Sequence, residues 1–303
     1  MFLSSEKKRN ILTASKVRPN NCVQPAGMTL LFIAKLAAYD VVVRPMQIVR
    51  CKNRNVMKKP IKIILQACRN LSLIIETKFD KLFLASDVPM SKIVSHQKWQ
   101  RYLYEIGNKP GMRILEIGSR EVTGASSARK EFSKAVYIGF DYYPGNNVDV
   151  VGDVHKLSSY FEEKERFDII YSSACFEHFA MPWIVAIEIA KLLKVGGIIF
   201  IETHFSYSSH ERPWHFFQFS DMALRILFSE ALGFECIEAG MSNPIVGRFS
   251  SQADTYLKNK PVPGLYCHSE YLGRKIKDMK NFDWAKIDLT NIVGETKYPE
   301  PKG

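Results

Sequence analysis

The chain has 303 residues, 46% hydrophobic and 24% charged, a length and balance that mark a soluble globular protein with one large α/β domain and an extension. Its six cysteines (Cys22, Cys51, Cys68, Cys175, Cys236, Cys267) are scattered, without a CxxC pair or a His/Cys cluster at zinc-ligand spacing. That pattern suggests neither a disulfide framework nor a metal site and suits a reducing cytoplasm. The net charge of +11 is unevenly spread: residues 1–110 hold 20 Lys and Arg against 6 Asp and Glu, the remainder 22 against 25.

Residues 1–27 are polar, basic and rich in Ser and Asn, with Pro19 and Pro25, and read as a disordered segment. They lack the continuous apolar core of a secretory signal, and a transit peptide is the weaker alternative. Residues 28–105 read as a helical extension. The apolar run 28–43 is interrupted by Lys35 and Asp40 and falls short of the roughly 20 residues of a membrane span, so it is expected to be a core or interfacial helix. A second helix follows Pro60, with Ile64, Cys68, Leu71 and Ile75 at steps of 4, 3 and 4 residues. The expectation is a helical extension packed on the main domain with a solvated basic face. Contact with an anionic membrane surface or RNA through residues 1–110 is the competing use of that charge.

After the turn signal Lys109-Pro110-Gly111 the pattern changes, and residues 106–303 read as the main domain with a C-terminal tail. Short apolar strands are expected at 112–118, 135–141, 148–153, 167–173 and 197–203. A helix at 182–194 is closed by Gly196 and Gly197. Strands alternating with helices imply a mostly parallel sheet covered on both faces, in which ligands bind at the carboxyl ends of the strands.

The strand ends form a consistent set. Glu116 and Gly118 close the first strand, Asp141 the second, Asp153 the third, Ser172 and Ser173 the fourth. A carboxylate ending the second strand offers two acceptor oxygens to the two hydroxyls of a ribose, and one ending the third can accept from an adenine amine. The first turn is not glycine-rich: Arg120 and Val122 stand where small residues serve a pyrophosphate, and only Gly118 and Gly124 remain. A nucleoside carrying an amino acid instead of phosphates asks less of that loop, with Glu116 near its ammonium group. S-adenosylmethionine is such a molecule.

MRILEIGSREVTG, YIGFDYYPGNNVDVVGDVHKL, FDIIYSSACFEHFAMPWIVAIEIAKLLKVGGIIFIE and HERPWHFFQFSDMALRILFSEALGFE together resemble class I S-adenosylmethionine-dependent methyltransferases of the type 11 branch, over about 110–240. The resemblance implies a three-layer Rossmann-like fold with seven strands. It also implies that Glu116 and Gly118 line the methionine moiety, Asp141 binds ribose, Asp153 and the backbone of Val154 bracket adenine, and Ser173 borders the methyl group. The family more often has a second glycine where Arg120 stands.

A hydroxyl acceptor needs a base. The candidates after the fourth and fifth strands are Glu177, His178, His204, His210, Glu211 and His215. Among them His204 and His210 point toward an acceptor, whereas His178, beside Pro182, reads as a loop-ordering residue. Trp214, Phe216, Phe217 and Phe219 divide between an acceptor wall and the core. A sugar hydroxyl in glycan or cell-surface polysaccharide assembly is the first expectation, with a small molecule open. A tRNA or rRNA methyltransferase and a non-catalytic methyltransferase-like binding module are the alternatives. The three strand-end carboxylates argue against the last.

Overall fold

The computed structural model describes residues 59–77, 80, 84 and 87–288. The expected disordered segment 1–27, the apolar run 28–43 and the end of the tail lie outside them. The chain divides into two compact units, Met1–Leu73 and Ile74–Gly303. Helix α1 (Lys59–Thr77) starts with Pro60 in its first turn, where the missing N–H costs nothing. Its apolar residues Ile63, Ile64 and Leu71 are exposed.

The second unit is built on a seven-stranded sheet of order β3-β2-β1-β4-β5-β7-β6. Its strands are β1 (Arg113–Ile117), β2 (Val136–Asp141), β3 (Val150–Val151), β4 (Phe167–Ser173), β5 (Leu193–His204), β6 (Phe234–Arg248) and β7 (Pro261–Lys275). The first five pair in parallel, and β7 runs antiparallel to both β5 and β6. This is the expected mostly parallel, seven-stranded sheet. The strand order reverses at β1 and β4, and their carboxyl ends open the crevice in which such folds bind ligands.

Alternation along the strands feeds two cores. One face buries Leu115, Ile117, Phe140, Ile170, Ile199 and Ile201 beneath α4 (Pro182–Leu192) and α5 (Asp221–Leu227). The other buries Ile114, Tyr137, Ile169, Tyr171 and Phe200 against Trp99 and Leu103 of α2 (Trp99–Gly107). A division at 105/106 would therefore cut a helix whose buried face belongs to the sheet. The short helix α3 (Ala128–Glu131) completes that layer.

Two boundaries move for local reasons. The third strand was expected over 148–153 but keeps only Val150 and Val151, because Asp149 turns its carboxylate onto Gly139 N at 2.8 Å and Asp153 caps the following 3₁₀ turn. The helix expected to reach 194 stops at Leu192: Leu193 already pairs with Phe167, and Gly196, at φ +86°, absorbs the irregularity where β5 joins the ladder.

Candidate active site

The carboxyl ends of β1, β2 and β4 supply the half of the site expected to hold the cofactor. Gly118 leaves β1 at φ +84°, and a Cβ there would lie 2.6 Å from Cys175 Sγ, so the residue is glycine both for its backbone and for the thiol packed over it. Glu116 faces the α2 side of the sheet. Its Oε2 accepts from the hydroxyls of Tyr137 and Tyr171, the latter at 2.8 Å. Asn147 joins Tyr137 Oη at 2.8 Å to the Ser119 carbonyl at 3.1 Å. Glu116 thus braces the turn after β1 from beneath. Burial lifts its carboxyl above the ordinary range, and the phenol hydrogen bonds offset this only in part.

Asp141, at the end of β2, accepts from Tyr143 N at 3.0 Å, from Arg120 N at 3.4 Å and from Arg120 Nε at 3.3 Å. Arg120 also lies over the Tyr143 ring. The arginine standing where relatives have glycine is therefore the ion-pair partner of the ribose-binding candidate. Asp153 accepts from His155 N at 3.0 Å and contacts His155 Nδ1 at 2.7 Å. Burial acts to raise its carboxyl, but these histidine contacts outweigh it and hold the group below the ordinary range. Val154 is buried behind it. Ser173 ends β4 with its Oγ donating to Glu202 Oε1 at 2.8 Å.

These residues fit S-adenosylmethionine. Asp141 offers two carboxylate oxygens at the crevice, and Gly118 makes the left-handed turn that exposes the loop backbone. The Arg120 side chain, paired with Asp141 Oδ1 at 3.3 Å, occupies part of the place a ribose would take.

The other half of the site lies across β4, β5 and β7. On one face of the sheet the cross-strand pairs Glu202–Glu270 and His204–His268 follow the apolar pair Phe200–Leu272. His96, from the segment before α2, stacks on His268 with ring centroids 4.2 Å apart and meets Glu202 Oε2 at 2.9 Å. That hydrogen bond raises the imidazole's pKa against the opposing effect of burial. His204 stands 5.5 Å from both His268 and His210, and His210 stands 5.0 Å from His178 and 4.6 Å from His215, centroid to centroid. Six of the seven histidines, all but His155, form one continuous cluster.

Its floor is Glu177, fully buried in the turn Phe176–His178. Thr203 Oγ1 donates to its Oε2 at 2.6 Å, while His204 Nδ1 lies 2.6 Å from Oε1 outside hydrogen-bond geometry. Burial pushes this carboxyl up, but His204 and Thr203 bring it below its ordinary range. The segment after β5 is tied down over this floor: Phe216 N and Phe217 N donate to the Glu177 carbonyl at 2.9 and 3.2 Å, and His178 Nδ1 donates to the Trp214 carbonyl at 3.0 Å. His178, read as loop-ordering, makes that contact. Phe219 is core, Phe217 packs partly against it, and Trp214, Phe216 and Glu211 are exposed.

The methyltransferase domain family matches residues 92–238. Over those residues the chain is similar to a methyltransferase domain. The match agrees with the type 11 resemblance and supports reading the chain as an enzyme that transfers methyl groups. No curated protein matches the chain. Among solved structures, the methyltransferase is similar to the YcgJ protein of Bacillus subtilis at 17% identity, covering 59% of this chain and 98% of that one with a TM-score of 0.41. It is also similar to a SAM-dependent methyltransferase from Archaeoglobus fulgidus at 16% identity, covering 58% and 92% with a TM-score of 0.41. Among the described residues, no helix is long and apolar enough to cross a membrane.

Sequence reading missed Tyr137, Tyr171 and Asn147 behind Glu116, and His96, Glu202, His268 and Glu270 beside His204. Glu202 is the one with a visible signal, as a carboxylate two residues before the end of an apolar strand.

Proposed function

We propose that this methyltransferase O-methylates a sugar hydroxyl in glycan or cell-surface polysaccharide assembly. S-adenosylmethionine, when bound, supplies an electrophilic methyl group on a sulfonium. Asp141 receives the two ribose hydroxyls once Arg120 swings aside, Asp153 and Val154 flank the base, and Ser173 stands between the two halves of the site. The observation that carries the reading is the Glu177–His204 pair at the ends of β4 and β5, roofed by His210, because it sets proton acceptors beside the cofactor crevice. His210 Nδ1 lies 2.9 Å from the Ser208 carbonyl, which can only accept; Nδ1 therefore carries hydrogen, and the neutral ring presents Nε2 as a base. A hydroxyl placed here loses its proton to His204 or His210. The exposed rings of Tyr207 and Trp214 give a sugar flat faces to lie on.

The test is release of demethylated cofactor with a panel of nucleotide sugars, glycan precursors and RNA, followed by mass spectrometry of the product. Methylation of a sugar oxygen supports the reading, and His204→Asn or His210→Asn then lowers turnover by roughly 10² to 10⁴, the usual share of general-base catalysis, with cofactor affinity kept. Methyl transfer to RNA alone, or to nitrogen, overturns it.

A further inference from the structure

The spacing of histidines and cysteines along the chain predicts no metal site, yet the fold gathers ligands that sequence separation hides. Glu177, His204 and His210 each bring one ligand atom within 4.8 Å of the others. The side chains of Glu177 and His204 are more than nine-tenths buried, and Glu177 Oε1 and His204 Nδ1 face only each other, 2.6 Å apart and poorly aligned for a hydrogen bond. His215 Nε2, in the same cluster, is buried with no hydrogen-bond partner, which buried polar atoms rarely lack.

We propose that Glu177, His204 and His210 form a binding site for a divalent transition-metal ion of the zinc class. Two imidazoles and one carboxylate suit such an ion better than magnesium, which prefers oxygen ligands. Ligand atoms around a tetrahedral zinc, with bonds of about 2.0–2.1 Å, stand roughly 3.3 Å apart. Glu177 Oε1 and His204 Nδ1 are 2.6 Å apart, so a small rotation of either side chain opens the seat. The outer shell is already present. His210 Nδ1 binds the Ser208 carbonyl at 2.9 Å and Thr203 holds the second Glu177 oxygen at 2.6 Å, the supports that fix tautomer and orientation in metal centres. His178 Nε2, 4.0 Å from Glu177 Oε1, stands next to the seat. Three protein ligands leave a position open for a water or an acceptor oxygen, whose acidity the ion would raise; with the ion bound, that polarisation takes the place of the base role that His204 and His210 have in the metal-free site. That chemical use rests on the acceptor-pocket reading above, whereas metal binding does not.

The experiment measures metal directly on the full chain, without acceptor. After dialysis against EDTA, calorimetry with ZnCl₂ and elemental analysis of the product are expected to show one tightly held zinc, with no heat from MgCl₂. Glu177→Gln, His204→Asn and His210→Asn each weaken zinc binding at least tenfold, while His96→Asn and Cys267→Ser stay within twofold. His210 is on a half-buried surface segment, so its variant tests the site even if a buried substitution disturbs folding. In the Co²⁺-substituted protein, visible bands of a low-symmetry nitrogen and oxygen site support the assignment. A sulfur-to-cobalt charge-transfer band, wild-type zinc affinity in His210→Asn, or no zinc uptake by the wild type overturns it. Binding of S-adenosylhomocysteine is measured in parallel. Its failure with zinc binding intact sinks the methyltransferase reading of the site and leaves the metal site standing; the reverse sinks the metal site alone.

Discussion

Glu270 gives the sharpest energetic test of the polar layer beside the active site. It is fully buried on β7, directly across from Glu202 on β5, and its oxygens accept from Ser242 Oγ, from Ser91 Oγ at 2.8 Å and from His96 N at 3.2 Å. Burial is the largest influence on its carboxyl and the Glu202 charge adds to it; against the pull of the two serines and the His96 amide, the pKa is pushed up to about 7 from an ordinary 4.5. The other titratable groups facing it are His96 and, on its own strand, His268. A raised acid pKa means that the folded chain holds this proton more tightly than the unfolded one. The stabilisation is complete below pH 4.5, falls as pH rises toward 7, and is gone above it. The difference of about 2.5 pH units, at 1.36 kcal/mol each, makes the ionised carboxylate a liability of about 3 kcal/mol at pH 8. Glu270→Gln keeps the shape: its carbonyl accepts from His96 N and Ser242, and its amide donates to Ser91, whose hydroxyl turns to accept. Urea unfolding of wild type and variant should therefore coincide near pH 4.5 and separate by up to about 3 kcal/mol in favour of the variant at pH 8. A variant less stable than wild type at both pH values would refute this, showing that the hydrogen-bond donors hold a charged carboxylate.

Asp141→Ala is expected to weaken S-adenosylhomocysteine binding at least about tenfold in calorimetry, since hydrogen bonds to a charged group contribute roughly 1.5–3 kcal/mol; unchanged affinity would remove Asp141 from the site. Arg120→Ala frees Asp141 from a partly buried ion pair worth about 1 kcal/mol, so the same titration should show binding tightened by up to about fivefold, and weaker binding would make Arg120 a ligand of the cofactor. Gly118→Ala meets both the left-handed backbone and Cys175, and thermal unfolding should show a loss above the roughly 1–2 kcal/mol of the backbone strain alone. If the basic residues of 1–110 contact anionic lipid, cosedimentation of the full chain with phosphatidylserine vesicles should fall steeply from 0.01 to 1 M salt, as screening shortens from about 30 to about 3 Å; salt-insensitive behaviour would leave that charge a merely solvated face.

What could be read in the sequence followed chain order. The apolar strands with Glu116, Asp141 and Ser173 at or beside their carboxyl ends announce themselves because each is a short apolar run with a polar residue near its close. The hairpin of β6 and β7 does not. Pro244 lies in an edge strand, Pro261 and Pro263 open β7, and irregularities between Cys236 and Glu238 and between Ile245 and Gly247 break the alternation that marks a strand. The histidine cluster was illegible for a topological reason. His96 and His268 are 172 positions apart and stack only because β7 inserts between β5 and β6 and brings its middle against the end of β5. Arg120 was visible as a departure from the glycine pattern, but its partner Asp141 belongs to the next strand, and no spacing rule joins them.

The segment that carries His210 and His215 is fastened chiefly by its backbone. Phe216 N, Phe217 N and the Trp214 carbonyl reach the Glu177–His178 turn, and Phe219 N reaches the His204 carbonyl. Main-chain fasteners do not depend on which side chains the segment bears. Residues 205–215 other than His210 can therefore change their surface chemistry, and on the proposed reading the acceptor with it, while the turn below them stays in place. On that reading, relatives that share this sheet but act on other acceptors should differ first at the ten positions of this segment around His210, while His210 itself is kept.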